Sequence, residues 1–107
     1  MKALATKPGF DFGALRDLGV ESVNYMTDGF STELSVVQKR MQDQLDQFVP
    51  SEDVVVPSGS ALHNFMAGFL FGQRMSSVRL LIYTEQRYIE AHLDADTANT
   101  YVQVANA

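Results

Sequence analysis

The chain has 107 residues, 46% of them apolar and 20% charged, with seven glycines and three prolines. That balance sets it apart from disordered, collagen-like and low-complexity sequences. With no cysteine, it excludes disulfide frameworks, thiolate zinc sites, iron–sulfur clusters and a cysteine nucleophile. Thirteen acidic against eight basic residues give a net charge of −5, which opposes non-specific attraction to nucleic acid or anionic lipid.

A chain of this length holds one core, so residues 1–107 are expected to form a single domain, with 1–12 and 98–107 as loose termini. Met1–Phe10 carries Lys2, Lys7 and a broken apolar stretch, Ala3-Leu4-Ala5, short of the roughly seven continuous apolar residues of a secretory leader. The most apolar window, Phe65–Phe71, is far below the roughly 20 residues that cross a bilayer. A soluble, cytoplasmic protein is the expectation.

In chain order, Lys7-Pro8-Gly9 is a turn signal and Gly13–Leu18 a short helix at most, stopped by Gly19. Val20–Tyr25 reads as a strand, closed by the turn residues Thr27-Asp28-Gly29. Leu34, Val37, Met41, Leu45 and Phe48 recur at steps of three and four, the stripe of a helix packed on one side; Ser31 or Thr32 suits its N-cap, and Pro50 stops it. Val54-Val55-Val56 is a β-branched run and reads as a buried strand. Pro57-Ser58-Gly59-Ser60 then leads into a helix over 61–74, whose apolar residues Leu62, Phe65, Met66, Phe69, Leu70 and Phe71 spread round most of its circumference.

The stretch from Ser76 to Leu93 supports two readings. As one helix, Val78, Leu81, Ile82, Tyr88, Ile89, His92 and Leu93 share a face; as strand then helix, 78–83 is the strand and the helix starts near Glu85. The valine run cannot stand without a partner strand, which favours the second. The chain then reads as α/β: three strand–loop–helix units over 20–48, 54–74 and 78–95, forming a small parallel or mixed sheet flanked by helices. A mainly helical bundle is the alternative. Thr100–Val104 is a final short strand or loose chain.

Loops that follow parallel strands gather at one edge of the sheet, where α/β folds bind ligands. Ser58, Gly59 and Ser60, between a strand and a helix N-terminus, suit an anion held by backbone N–H groups, with Asp28 or Arg87 lining the site. The loop lacks the lysine of a P-loop and the spaced glycines of a dinucleotide fingerprint, and serves equally as turn plus N-cap. The two histidines, His63 and His92, with Glu85 offer at most an incomplete ligand set. No metal, cofactor or catalytic residue is therefore expected. The acids Glu52-Asp53 and Asp94/Asp96 flank predicted elements, and Arg74, Arg79 and Arg87 are too few for a nucleic-acid face in so acidic a chain.

The strongest interaction signal is the 61–74 helix. Phe65, Met66, Phe69 and Phe71 exceed what one face against a small core needs, and Gly68 and Gly72, four apart, admit a close neighbour. The functional expectation is a non-enzymatic protein-binding or regulatory module. It would be a homodimer built on that helix, with another protein, such as a host protein that it inhibits, as a further partner. A phosphate- or nucleotide-binding α/β domain is the second reading, and a small enzyme the third.

Overall fold

A computed structural model describes residues 1–9, 11–28 and 33–105. Six strands form one mixed sheet in the order β2-β1-β3-β4-β5-β6. They are β1 (Lys2–Ala5), β2 (Ser22–Tyr25), β3 (Val54–Val56), β4 (Ser77–Thr84), β5 (Arg87–Asp94) and β6 (Tyr101–Val104). The first four strands in spatial order run parallel, and β4–β5–β6 is an antiparallel meander. The fold is α/β, as the strand-and-helix alternation predicts, and the helical bundle is not what forms.

The three valines of β3 are buried on both faces, between β1 and β4. Both flanking helices pack on one side of the sheet: α1 (Leu34–Leu45) and α2 (Ala61–Arg74). There Leu4 and Val55 meet Val37, Met41 and Leu45 of α1 and Ala67, Leu70 and Phe71 of α2. Phe48, just past α1, packs edge-on to Phe71 with ring centroids 5.1 Å apart. On the opposite side a 3₁₀ segment, Gly13–Leu18, places Leu15 against Ala3, Ala5, Val54, Val56 and Leu81. Gly19, with φ +90°, ends that segment in the left-handed conformation that glycine adopts without strain.

α2 has the expected bounds, and Ser60 caps it by accepting from the His63 N–H at 3.2 Å. At α1 the N-cap position is Glu33, without a side-chain cap; Ser31 and Thr32 lie outside the described residues. Asp53 is buried and accepts from the Val49 N–H at 2.9 Å, which closes the turn from α1 into β3.

Two expectations are corrected, and one left open is decided. The segment Lys2–Ala5 is no loose terminus but an inner strand, hydrogen-bonded on both sides. Residues 85–95 form no helix: Glu85 and Gln86, with φ 51° and 65°, make a two-residue turn, and β5 returns antiparallel to β4. Positive φ at both positions is the requirement of a type I′ hairpin turn, usually met by Asn-Gly. The tail Tyr101–Val104 pairs with β5 as β6.

Two outcomes follow. Phe71→Ala removes a core ring and should cost about 3–5 kcal/mol in urea unfolding, whereas Phe65→Ala, on a side chain 77% exposed, should change stability by no more than about 0.5 kcal/mol. Replacing Glu85-Gln86 by Asn-Gly should raise stability by about 1 kcal/mol by relieving the left-handed backbone.

Candidate functional site

The chain leaves β1 toward β2 across one face of the sheet and leaves β3 toward β4 across the other. The carboxyl ends of β1 and β3 therefore form a topological switch point, the usual ligand crevice of such sheets. Here the two loops are stitched to each other. The Thr6 hydroxyl donates to Asn64 Oδ1 at 2.7 Å. The Lys7 N–H donates to Ser58 Oγ, and Ser58 Oγ–H to the Lys7 carbonyl, both at 3.0 Å. Asn64 Nδ2 donates to the carbonyls of Ser58 and Ser60, each at 3.1 Å.

The Lys7 stem lies across Gly59, whose φ is +83°; a Cβ there would sit 2.9 Å from Lys7 Cβ. Ser58 and Ser60 thus hold the crevice shut and cap α2, which is the turn-and-cap role open to them from sequence. Asp28 pairs with Arg40 of α1 and lines a different hollow from Pro57. Arg87 opens β5 opposite Thr84, beside the hairpin turn. The residues proposed for an anion site do not form one cluster.

The other candidates take structural places. His63 lies on α2, while His92 lies on the opposite face of the sheet, its ring stacked on Tyr101 at 5.1 Å and 7°. Among the described residues no His, Asp and Glu group has the makings of a metal site. Arg74 pairs with Asp46 and Arg79 with Glu90, while Asp96 caps the 3₁₀ turn Thr97–Asn99 through the Ala98 N–H. Tyr88, buried against the 3₁₀ segment, is the one tyrosine with a shifted acidity: burial, with smaller contributions from Tyr83 and Asp11, holds it above the ordinary tyrosine value.

The helix side of the sheet carries the more consequential feature. Strand side chains alternate between faces, and Val78 and Leu80 pack toward the helices while Leu81 and Tyr88 pack toward the 3₁₀ segment. Cross-strand pairing then places Ile82, Ile89, Ala91, Leu93, Val102 and Val104 on the helix side as well. That face of β4, β5 and β6 is apolar except at its hairpin end, where Thr84 and Arg87 pair. Its opposite face carries Arg79, Glu90, His92 and Gln103.

A helix is about 10 Å wide and strands lie about 4.8 Å apart, so one helix covers about two strands. Six strands need a third helix beside α2. Because β5 and β6 arrive by hairpins, no crossover helix is laid over them. Between α2 and this face lies a groove of about 370 Å³, walled by Ala67, Gly68, Phe71, Gly72 and Met75 and floored by Val78, Leu80 and Leu93. A Cβ at Gly68 or Gly72 would meet nothing within 4 Å. Beyond the groove Val102 is 63% exposed and Val104 45%.

The predicted interface residues therefore divide. Gly68 and Gly72 border the groove, and Phe65 and Phe69 stand exposed on the outer crest of α2. Phe71 is buried at 5% exposure, and Met66 is half-buried against the core. The two are core residues first, because the helix turns them down onto α1 and the sheet. On the floor of the groove, Val78 and Leu80 lie on the expected 78–83 strand, whereas Leu93 lies on β5, whose period-two alternation Ile89-x-Ala91-x-Leu93 is that of a strand, as is Val102-x-Val104 in β6. Comparison with protein-family models, with curated proteins and with solved structures finds no match to this chain.

If the switch-point crevice is closed by its own hydrogen bonds, Asn64→Ala should lower stability by about 1–3 kcal/mol through unpaired partners. Inorganic phosphate should leave the melting temperature unchanged. A phosphate-dependent rise matching millimolar affinity would restore the anion site. Tyr88, raised in the folded state, favours folding at any pH below about 10, and that contribution is lost as pH rises through its folded value. Tyr88→Phe should therefore flatten the alkaline limb of the unfolding profile.

Proposed function

We propose that the protein is a non-catalytic protein-binding module. Its working surface is the apolar helix side of β4–β6 together with the Gly68/Gly72 flank of α2, and its occupant is an amphipathic helix of a partner protein. The observation that carries this reading is an apolar sheet face, one helix wide, that no helix among the described residues covers, bordered by a helix whose near flank is glycine. A helix laid there completes the layer, and the glycines let it approach α2 closely.

Charge supports a partner of opposite sign. The chain is at −5, and Asp94 lines the groove's rim. A helix with an apolar stripe and basic flanks fits both parts: the stripe supplies affinity, and the flanks supply orientation and a salt-dependent on-rate. Binding of this kind regulates by occupancy, as an inhibitor or adaptor does. No helix among the described residues is long and apolar enough to cross a membrane, and a cysteine-free chain needs no oxidising compartment to fold. The cytoplasm is the compartment we propose.

The absence of cysteine gives a direct test. A photo-cross-linker placed on Leu93→Cys should capture, from lysate of the source cells, a segment whose apolar residues recur at helical spacing. The same label on Lys39→Cys, on the exposed side of α1, should not. Equal capture from both positions, or capture of an extended segment at Leu93, would overturn the helix-in-groove reading.

A further inference from the structure

β6 is one edge of the sheet, and its hydrogen-bonding directions can be worked out residue by residue. The Ala105 N–H donates to the Tyr88 carbonyl at 3.1 Å. Along an antiparallel strand these directions alternate, so the backbones of 101, 103 and 105 face β5 and those of Val102 and Val104 face outward. The edge thus presents two N–H groups and two carbonyls in register, on a strand whose four side chains are all exposed.

Sheet edges in soluble proteins are ordinarily blunted by charge, proline or a bulge. β6 has none of these: residues 97–107 contain no Asp, Glu, Lys, Arg or Pro, and the pairing with β5 runs without interruption over four residues. The other edge, β2, is bracketed by Glu21 and Asp28. In a chain at −5, two copies meet with least repulsion where neither carries charge.

We infer that β6 is the seam of a homodimer, in which two copies pair antiparallel about a two-fold axis through Gln103 and join their sheets into one. Val102 of each copy exchanges both backbone hydrogen bonds with Val104 of the other, which satisfies every outward group of the strand. Gln103 faces its symmetry mate on the 3₁₀ side of the sheet. Its amide nitrogen already reaches Glu90 at 3.3 Å, and its carbonyl oxygen and second N–H are a self-complementary pair. On the helix side Val102 and Val104 of both copies form one apolar strip. This goes beyond the partner-helix reading and stands without it, since the seam uses the strand's edge and the helix uses its face.

Directly opposed residues of a non-hydrogen-bonded antiparallel pair lie about 4.5 Å apart at Cα, within reach of a disulfide. The single-cysteine variant Gln103→Cys should therefore form a cross-linked dimer under mild oxidation at least about tenfold faster than Asn24→Cys on the β2 edge. Light scattering of the unaltered protein should give twice 11.9 kDa at high concentration. Val102→Pro removes only an outward N–H, so it should return the mass to that of one chain while circular dichroism stays unchanged. Val104→Lys, at an exposed position, should do the same by placing like charge at the seam. A protein that is monomeric at every concentration, or a dimer that survives both substitutions in folded protein, overturns the proposal. Equal cross-linking at Gln103→Cys and Asn24→Cys does so too. None of these results bears on whether Leu93 captures a helix, so the two readings fail separately.

Discussion

The pairing of β3 with β1 and β4 is the constraint on which the rest of this fold depends. Val54–Val56 is buried on both faces, so both sides of the sheet must be covered at that point. Parallel neighbours require crossovers, and crossovers of the usual right hand lay a helix on the sheet each time. The passages from β2 to β3 and from β3 to β4 put α1 and α2 side by side on one face, while the shorter passage from β1 to β2 puts the 3₁₀ segment on the other. After β4 the chain turns back on itself by hairpins. From that point strands are added without helices, and the uncovered apolar face follows from the connectivity alone.

How far the sequence reveals this depends on how each element announces itself. α2 and β3 are legible residue by residue because a capping serine, two turn residues and a valine run punctuate them. β1 is nearly silent. Its Ala3 and Ala5 are poor strand formers in isolation, selected for fitting against Leu15 and Val20, and only tertiary pairing reveals the strand. β5 was masked by coincidence, since Tyr88, Ile89, His92 and Leu93 also satisfy helical spacing. The hairpin turn before it lacks the Asn-Gly that would have marked it. The alternation at 89, 91 and 93 was the truer signal, and it points to the face that matters.

The two expected sites differ in how many of their groups the fold itself uses. A hydroxyl-rich loop after a strand is a ligand site only if its donors and acceptors remain available. Here the side chains of Thr6, Ser58 and Asn64 and the carbonyls of Ser58 and Ser60 bind one another and the neighbouring loop, so these groups act as a joint between the ends of β1 and β3. The aromatic content of α2 exceeds the needs of one core, but only its packing decides which of its residues are in excess. Phe71 completes the core with Phe48, whereas Phe65 and Phe69 stand outside it. The glycines between them matter because the groove lies on their side of the helix.

Joining two copies at β6 changes what the uncovered face is. The two-fold axis stands normal to the sheet, so both helix sides remain on the same side of the joined sheet. Their apolar floors meet along Val102 and Val104, and an α2 borders each outer margin. A single chain offers room for one helix, and the pair offers a floor twice as wide. A partner that spans the axis contacts both copies, and linkage then makes its binding and dimerisation mutually reinforcing by the same factor. A partner confined to one groove leaves the seam as it was. In the proposed dimer, self-association and recognition of a partner helix would therefore be thermodynamically coupled only through the strip of valines at the two-fold, and the strength of that coupling would report how far across the seam the partner reaches.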